Sequence, residues 1–520
     1  MASPGGDRIL RNSRPDVLLI VLDTLRRDRL SIYGNPRETS PHLDAFAAGA
    51  TVFDRAVSSS QWTVPAHASL FTGLYPSVHR VTQGHSRLSE RIFTLAQRLS
   101  EAGYHTVSFC NNALVGLLDN GLQRGFERFY NYAGAAPNRP FDSRGPAARV
   151  AGRQFSRFAR WVENRFARSD TLFRIAQHPR LTPLWSRLIR FKGCTEASID
   201  DLVAYWRRHM SGGSGRPLFA FLNLMGTHLP YTPPREVIDR VAPEIYGDRR
   251  AHAFMRFINT NAAGWSCPPD PPYEEWQRAV LRGFHDAEIA SQDAHLGRLF
   301  RHLEAMAALD RALIIVVADH GEMHGGHGLF GHGFSAYQEL VHVPLIIRGE
   351  GFPAGVRIGI SVSTRRVFHT VLQAAGIDAS PAAGGGAELA LANAVDGLSD
   401  PEGGVVFAEA FPSQMVLSLL RRRNPSLIER RRLDQVCRAV YVDGHKLMTV
   451  GPHVEGLYEV ERDPAEVHDV ADVHPGIVTG LKHRLDTWLD AAGLLRHDRA
   501  EYSEVSPEAM RQLRALGYID

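Results

Sequence analysis

Five short apolar runs recur along the first two thirds of the chain, separated by longer stretches such as 89–102 and 275–307 that have a helical pattern. Runs with so few polar positions are typical of strands that are buried on both faces of a sheet. The alternation predicts an α/β fold with a large, mostly parallel central sheet flanked by helices. The predicted strands are VLLIVLD (17–23), YHTVSFC (104–110), PLFAFLNLM (217–225), ALIIVVAD (312–319) and VPLIIRG (343–349).

The pattern changes toward the C-terminus. The Gly/Ala/Pro-rich segment ASPAAGGGAELALANAVDG (379–397) predicts a loop. Shorter strand-like pieces follow (GVVFAEAF, CRAVYVDGHKLMTV and EGLYEVERD), and then a helix at about 474–492. These pieces predict a small antiparallel sheet with a terminal helix, packed on the main domain. We therefore divide the chain into a main α/β domain (1–378), a linker (379–403) and a C-terminal subdomain (404–520).

Composition indicates a soluble protein and does not point to a particular binding partner. Hydrophobic residues make up 44% of the chain and charged residues 22%, and the formal net charge is only +3, as in ordinary soluble proteins. The cysteines are far apart and predict neither a disulfide framework nor a zinc knuckle. No apolar signal region precedes the first strand, and the run VLLIVL is too short to span a bilayer. We expect a cytoplasmic location. The cysteines are Cys110, Cys194, Cys267 and Cys437.

The stretch 149–192 differs from the rest in charge. It contains ten arginines and one lysine against two acidic residues, with aromatic residues interleaved. This pattern is typical of an amphipathic helical insertion whose aromatic face packs on the core. A lid over an anionic substrate and a contact with a membrane surface are the alternatives. No recognition motif supports nucleic-acid binding.

The segment SSSQWTVPAHASLFTGLYP (58–76) places a hydroxyl group where a loop turns into a helix. Val64 precedes a proline and is expected to be extended, whereas Pro65 suits the first turn of a helix that ends at Gly73. Thr63 is then presented at a helix N-terminus, where free N–H groups and the dipole attract an anion. Two interpretations remain: a helix cap, or a hydroxyl that attacks a phosphorus or sulfur centre.

Acidic and histidine residues end two of the predicted strands. Asp23 ends the first run, and Asp319 and His320 end ALIIVVADH. Ligand sites in parallel sheets form at the carboxyl ends of the strands. Carboxylate and imidazole suit Mn²⁺ or Zn²⁺, or Mg²⁺ or Ca²⁺ with less preference for nitrogen, although acidic residues also cap helices. The glycine-rich loop HGGHGLFGHG, either a surface turn or an anion or metal contact, carries His324, His327 and His332.

Ten segments in the same order and spacing carry a resemblance that covers the chain nearly end to end. The chain resembles the sulfatase branch of the alkaline phosphatase superfamily. The matching segments are DVLLIVLDTLRRDRLSIYG, TVPAHASLFTGLYP, GYHTVSFCNNALV with GFERF, THLPYTPP, DAEIASQDAHLGRL, ADHGEMHGGHGLFGHG, VHVPLIIRG, HKLM, LYEVERDPAEVHDVA and LRALGYID.

The resemblance implies a site for one divalent metal ion, with Asp23, Asp319 and His320 as ligands. Thr63 matches the nucleophile, which in this superfamily also coordinates the metal. On the substrate side, His228 in THLPY matches a histidine near the leaving group or a transferred-group oxygen. The remaining matches are His332, which stands where many sulfatases have a lysine that contacts the sulfuryl oxygens, His327 in the same loop, and one of Asn111 and Asn112 at a substrate-contacting position.

Departures from the sulfatase pattern limit the chemistry. Sulfatases carry Cys or Ser in a C/S-x-P-x-R signature, which is converted to formylglycine. Here the signature reads Thr-Val-Pro-Ala-His over residues 63–67, so no formylglycine is expected and His67, a further catalytic candidate, replaces the arginine. Thr24 also stands where many sulfatases have a second metal-binding aspartate. The pattern instead resembles the superfamily's threonine-using phosphatases, phosphodiesterases and phosphotransferases.

The function implied is hydrolysis of a small anionic ester, phosphate in preference to sulfate, by an unmodified threonine. A bound divalent ion is expected to lower the pKa of the Thr63 hydroxyl, whose attack gives a phospho- or sulfo-threonine. His228 is expected to protonate the departing oxygen, and His332 to offset charge on the transferred group. The alternatives are a phosphotransferase of the same superfamily and a non-catalytic homologue that binds an anion.

Overall fold

The computed structural model describes residues 14–84, 86–134, 137–140, 190–261, 264–378, 385–395, 400–494 and 501–502. All but the last three residues of the arginine-rich insertion predicted at 149–192 therefore lie outside the described residues. The LRALGYID tail lies outside them as well.

Sixteen strands occur in the described residues. They are β1 (Asp16–Leu22), β2 (Thr51–Val57), β3 (Ser86–Arg87), β4 (His105–Cys110), β5 (Arg128–Asn131), β6 (Leu218–Leu224), β7 (Ala312–Ala318), β8 (Met323–His324), β9 (Phe330–Gly331), β10 (His342–Arg348), β11 (Val356–Ser363), β12 (Val406–Ala410), β13 (Cys437–Val442), β14 (His445–Val450), β15 (His453–Glu459) and β16 (Glu501–Tyr502).

Eight of these strands form the central sheet, in the order β11-β2-β10-β7-β1-β6-β4-β5. Five of the seven neighbouring pairs are parallel, and β10 runs antiparallel to both β2 and β7. Strand β1 lies in the middle, and its residues from Val17 to Leu22 are fully buried. Because each buried Leu, Ile or Val contributes about 1.5–3 kcal/mol, this strand anchors the core. The predicted α/β class is confirmed.

All five predicted strands are present in this sheet, but sequence patterning missed β2, β11 and the four-residue edge strand β5. Strand β2 carries the charged pair Asp54 and Arg55 in its middle. Strand β11 lies at the sheet edge, where most of its side chains are partly or fully exposed. Neither segment therefore has the continuous apolar run that identifies an interior strand.

The described residues contain sixteen α-helices, among which none is both long and apolar enough to cross a bilayer. They are α1 (Pro41–Ala48), α2 (Thr63–Thr72), α3 (Pro76–His79), α4 (Leu95–Glu101), α5 (Ala113–Gly116), α6 (Thr195–Ser211), α7 (Arg235–Val241), α8 (Pro243–Tyr246), α9 (Arg249–Thr260), α10 (Glu275–Ala305), α11 (Gln338–Val341), α12 (Arg366–Ala374), α13 (Leu391–Val395), α14 (Gln414–Arg423), α15 (Pro425–Arg431) and α16 (Pro475–Leu494).

The C-terminal strands form a four-stranded antiparallel sheet in the order β12-β13-β14-β15, and α16 packs against it. This confirms the predicted small sheet with a terminal helix. A buried ion pair fastens this sheet to the main domain. The ammonium of Lys446 donates to Glu466 and to the carbonyl of Ala336, and the other carboxylate oxygen of Glu466 accepts from the backbone of Gln338. Both charged side chains are almost completely buried.

A second connection joins β12 to the loop that precedes α2. The backbone N–H of Glu409 donates to the carbonyl of Ser59 at 3.0 Å. The side-chain amide of Gln61 donates to the carbonyl of Phe411 at 2.8 Å. These bonds hold the loop that leads to Thr63 against the C-terminal sheet.

The predicted loop at 379–403 is partly wrong. Its described part contains a 3-10 turn at Ala387–Leu389 followed by helix α13. Leu389 and Leu391 are buried against α12, where Arg366 donates to the carbonyl of Leu389 at 2.7 Å. The apolar side chains within this Gly/Ala-rich segment therefore form a packed element rather than an open linker.

Candidate active site

The two acidic strand ends lie side by side. Strands β1 and β7 are parallel neighbours with Leu22 opposite Ala318, so the residues that follow them, Asp23 and Asp319, leave the same edge of the sheet. Both carboxylates and the adjacent His320 are buried. The predicted site at the carboxyl ends of the strands is therefore what the topology produces.

Four side-chain atoms converge at this edge. Nε2 of His320 lies 3.5 Å from Oδ2 of Asp319 and 3.8 Å from Oδ1 of Asp23. One ligand atom from each of these three residues lies within 4.8 Å of the others. The hydroxyl of Thr63 lies 3.2 Å from the same imidazole nitrogen. The three predicted metal ligands and the predicted nucleophile are thus brought together.

Hydrogen bonding leaves the inward-facing atoms of this group free. Oδ2 of Asp23 accepts from the amide of Asn112 at 2.6 Å, and Oδ1 of Asp319 accepts from the backbone N–H of His320 at 2.8 Å. The other two oxygens, Oδ1 of Asp23 and Oδ2 of Asp319, are buried without a partner among the described residues. His320 donates through Nδ1 to the carbonyl of Gly321 at 2.8 Å, which turns the Nε2 lone pair inward. Orphaned buried oxygens beside an imidazole nitrogen that contacts the Thr63 hydroxyl fit a divalent cation.

The electrostatics of the group agree with this fit. Burial raises the pKa of Asp23 to about 6, although the hydrogen bond from Asn112 opposes the shift. Burial and then the nearby Asp23 charge raise the pKa of Asp319 well above its ordinary value. Burial also lowers the pKa of His320 well below its ordinary value, so the ring is neutral. Burial and mutual repulsion disfavour the charged forms of these two carboxylates, and a positive ion beside them would stabilise those charged forms.

Thr63 is the first residue of α2 and is almost fully buried. The first backbone bond of the helix runs from Ala66 to the carbonyl of Trp62, so the N–H groups of Thr63 and Val64 are left over at the helix start. Val64 lies inside this turn, and the expectation that it is extended is wrong. Pro65 is accommodated because a residue this early in a helix needs no N–H partner. The helix ends at Gly73, as predicted, in a left-handed conformation with φ of 72°.

His67, which we expect at the position of the sulfatase arginine, lies behind Thr63. Its Nδ1–H donates to the carbonyl of Thr63 at 2.9 Å and lies 3.5 Å from Oδ2 of Asp319. The ring is fully buried, and this burial lowers its pKa to about 4. His67 is therefore a neutral support on the inner side of the site rather than a cation facing the substrate.

Two more of the predicted histidines stand beside His320. The ring of His332 lies 4.7 Å from that of His320 and 5.3 Å from that of His228, centroid to centroid. Burial, followed by the charge of His332, lowers the pKa of His228 to about 3, and its Nδ1 donates to the carbonyl of Leu229. A neutral imidazole with Nδ1 committed offers Nε2 as an acceptor. This does not fit the expected role of His228 as a proton donor in the free protein.

The other predicted contacts are engaged elsewhere. The side chain of Asn111 bonds to Ser198, to the carbonyl of Asn223 and to the backbone N–H of Cys194. Asn112 supports Asp23 and caps α5. His327 stacks on Tyr337 with ring centroids 3.6 Å apart and bonds to the carbonyl of Ala465. The structure thus gives substrate-independent partners to the three residues assigned to substrate contact: Asn111, Asn112 and His327.

Thr24, at the position of the second sulfatase aspartate, also turns away. Its hydroxyl donates to the carbonyl of Asp23 at 2.7 Å, and its backbone N–H donates to Oδ1 of Asp319 at 3.3 Å. The backbone of Thr24 is left-handed, with φ of 56°, which is uncommon for a β-branched residue. Thr24 therefore supports Asp319 through its backbone N–H and the backbone of Asp23 through its hydroxyl, and it adds no ligand of its own.

Two residues near the site were missed from the sequence. Glu322 is fully buried and accepts from Nδ1 of His332 at 2.9 Å. Asn223 lies on β6, and its side-chain amide lies 3.4 Å from Nε2 of His67. Each had a signal: an acid directly after ADHG, and a single amide inside an otherwise apolar strand.

Comparison with known proteins identifies the family of the chain. A model of the sulfatase family matches residues 15–377. The chain is 22% identical over 366 residues to the ulvan-active sulfatase of Formosa agariphila, covering 69% of this chain and 61% of that protein. It is 24% identical over 407 residues to arylsulfatase K of Bos taurus, covering 72% and 66% respectively. It is 27% identical over 389 residues to the multifunctional alkaline phosphatase superfamily protein PehA of Trinickia caryophylli, covering 65% and 69%.

Solved structures share the fold. The phosphonate monoester hydrolase of Agrobacterium radiobacter superposes with a TM-score of 0.62 at 21% identity, covering 92% of this chain and 96% of that chain. The chain belongs to the sulfatase family, within the alkaline phosphatase superfamily. The alignments span less than two thirds of the ulvan-active sulfatase and of arylsulfatase K.

Proposed function

We propose that this protein hydrolyses anionic esters, phosphate in preference to sulfate, through a covalent intermediate on unmodified Thr63. One observation carries the proposal: the Thr63 hydroxyl lies 3.2 Å from the imidazole nitrogen that also faces both unpartnered carboxylate oxygens. Relatives named as sulfatases, and a structural neighbour named as a phosphonate monoester hydrolase, support transfer from an anionic ester to water. Phosphate is preferred because threonine has no gem-diol through which a sulfate ester could be released.

A divalent ion held by Asp23, Asp319, His320 and Thr63 would supply Lewis-acid polarisation of the hydroxyl and of the ester. In the first half of the reaction, Oγ1 of Thr63 forms a bond to phosphorus and the bond to the departing oxygen breaks. The hydroxyl proton would leave to solvent, and the departing oxygen, on the opposite side of phosphorus, would take a proton from a water molecule held at Nε2 of the neutral His228. This role fits the lowered pKa of His228 better than permanent protonation does.

In the second half, water attacks phosphorus and the bond to Oγ1 of Thr63 breaks. Nε2 of His228 would accept a proton from this water and release it to solvent, while the Thr63 oxygen takes a proton from solvent, so the protein is unchanged after one cycle. His332 faces the non-bridging oxygens of the transferred group. Burial opposes its protonation, but the charge of Glu322 and their hydrogen bond raise the pKa of His332, which favours a cation there.

The test is a substrate panel with purified protein, with and without added Mn²⁺ or Zn²⁺. The panel contains nitrophenyl phosphate, bis-nitrophenyl phosphate, a phenylphosphonate ester and nitrophenyl sulfate. We expect metal-dependent turnover of at least one phosphorus ester, and its loss in Thr63→Ala. A protein that only binds anions would turn over none of them, and turnover that rises steeply with an added alcohol would indicate a phosphotransferase. Either result would refute hydrolysis.

A further inference from the structure

His332 is held by a buried carboxylate that lies outside the residues implied by the sulfatase resemblance. Oε1 of Glu322 accepts from Nδ1 of His332 at 2.9 Å, and the Glu322 side chain is fully buried. The backbone of Glu322 is anchored as well, because its carbonyl accepts from the guanidinium of Arg26 at 3.1 Å. Arg26 in turn is fixed by Asp28 and Glu339. The carboxylate therefore has little freedom to move.

The orientation of His332 follows from this bond. The two nitrogens of an imidazole have a fixed angular relation, so a partner on Nδ1 decides where Nε2 points. Nε2 of His332 has no hydrogen-bond partner among the described residues, and the side chain is 16% exposed. The ring stands between those of His320 and His228. The free nitrogen is thus the polar atom that His332 offers to a bound ester.

A histidine at this position must be oriented by a partner, whereas a lysine need not be. An ammonium group has three donors on a rotating head, whereas an imidazole presents one nitrogen along one direction. A chain that carries His332 where many sulfatases carry lysine requires a partner that turns the ring. Among the described residues, Glu322 is the carboxylate bonded to that ring.

We propose that Glu322 is a positioning residue, which holds Nδ1–H of His332 so that Nε2 is presented to the non-bridging oxygens of the transferred group. The inference rests on the proposed function for the role of Nε2, but the orientation itself is a property of the protein alone. Glu322 acts through His332 and has no contact with substrate.

Kinetics of Glu322→Ala and Glu322→Gln test the proposal with the metal-loaded protein and its best phosphorus ester. Glutamine keeps an acceptor for Nδ1–H, so we expect kcat within about threefold of the original, whereas alanine should lower kcat by about 10–100-fold with a smaller change in KM. Glu127→Gln is the matched control. Glu127 accepts the same kind of hydrogen bond, at 2.8 Å, from Nδ1 of His105 at the opposite end of the sheet. The control should leave kcat unchanged.

A double-mutant cycle separates positioning from general damage. In a His332→Ala background, Glu322→Ala should cost almost nothing further, because the ring that it orients is gone. If the two losses multiply, or if Glu322→Ala alone leaves kcat within threefold, the proposal is overturned.

Nitrogen NMR of the Zn²⁺-loaded protein decides the orientation without any turnover. The His332 signals, assigned by their loss in His332→Gln, should show a protonated Nδ1 in the original protein and in Glu322→Gln. An unprotonated Nδ1 in the original protein would overturn the proposal even if Glu322→Ala fails to fold. Should no ester be turned over, the proposed function fails while this spectrum still tests the role of Glu322.

Discussion

Nε2 of His320 lies 3.2 Å from Oγ1 of Thr63, although 257 residues separate the two along the chain. One residue follows a central strand, and the other begins the helix that crosses its end. The contact brings the candidate nucleophile, Thr63, to a nitrogen of a candidate metal ligand, His320.

The covalent intermediate is the first prediction. Acid quenching during turnover of a phosphorus ester should leave the transferred group on Thr63, detected by mass spectrometry of the peptide that contains it. Thr63→Ser should still form the adduct at that position, and Thr63→Ala should lower kcat by about 10³-fold or more. Thr72→Ala, at the other end of the same helix, is the control and should keep the adduct. An adduct on a different residue would exclude Thr63 as the nucleophile.

Metal affinity should fall in acid. Burial raises the pKa of Asp23 to about 6 and that of Asp319 well above its ordinary value, so protons compete with the ion for both carboxylates. Binding of Mn²⁺ measured by titration calorimetry should be at least about tenfold weaker at pH 5 than at pH 8. The low pKa of His320 keeps this ligand unprotonated throughout. Equal affinity at both pH values would contradict the ligand assignment.

Asn112 should matter for the metal rather than for substrate. Its amide donates to Oδ2 of Asp23 at 2.6 Å and leaves Oδ1 for the ion. Asn112→Ser keeps a helix-capping oxygen for α5 but shortens the side chain, which removes this bond. We expect metal affinity to fall by about 10–100-fold, with KM at saturating metal nearly unchanged. A rise in KM at unchanged affinity would return Asn112 to the substrate side.

Asp23 should cost stability when the metal is absent. The pKa of Asp23 in the folded protein, about 6, exceeds its unfolded value, so the contribution of this carboxyl to stability is complete below about pH 4 and is lost as the pH rises through 6. Asp23→Asn removes that loss. In chelator-treated protein it should raise the free energy of unfolding by about 1–3 kcal/mol at pH 8 and leave it unchanged near pH 4.

Asp201→Asn provides the matched control for that measurement. Asp201 is also buried, but it is paired with Arg139 and accepts from the hydroxyl of Tyr132. The same substitution there should lower the free energy of unfolding by roughly 1–3 kcal/mol at pH 8. Urea unfolding curves of the two variants should therefore shift in opposite directions. Destabilisation by both would show that the Asp23 carboxylate is compensated in some other way.

Local sequence patterns were enough to place the candidate metal ligands, but not the residues that hold the side chains of the site in position. Apolar runs predicted β1 and β7, and the acids that end them had to meet because parallel neighbours share one carboxyl edge. Glu322 and Asn223 could not be assigned in this way. Their roles depend on which ring each one contacts. Glu322 meets His332 because the glycine-rich segment between them turns back, and Asn223 meets His67 because α2 packs on β6.

In the histidine-rich loop, local sequence patterns could not predict which histidine lies at the site. The local composition of this loop does not distinguish His324, His327 and His332, yet the structure places each in a different environment. His324 is buried between Arg26 and Tyr231, His327 stacks on Tyr337, and only His332 reaches the ring of His320. Glycine-rich backbone lets neighbouring residues point in unrelated directions, so a local pattern cannot rank them.

The hydrogen bonds from the backbone of Glu409 to Ser59 and from the side chain of Gln61 to Phe411 join segments that are synthesised at different times. The loop that carries Thr63 is made early in synthesis. Its partner Phe411 is translated about 350 residues later. A chain that ends between His320 and Glu409 would contain the three candidate metal ligands but lack these partners of the loop that carries Thr63. The loop that carries Thr63 therefore gains these hydrogen bonds only after β12 has been synthesised.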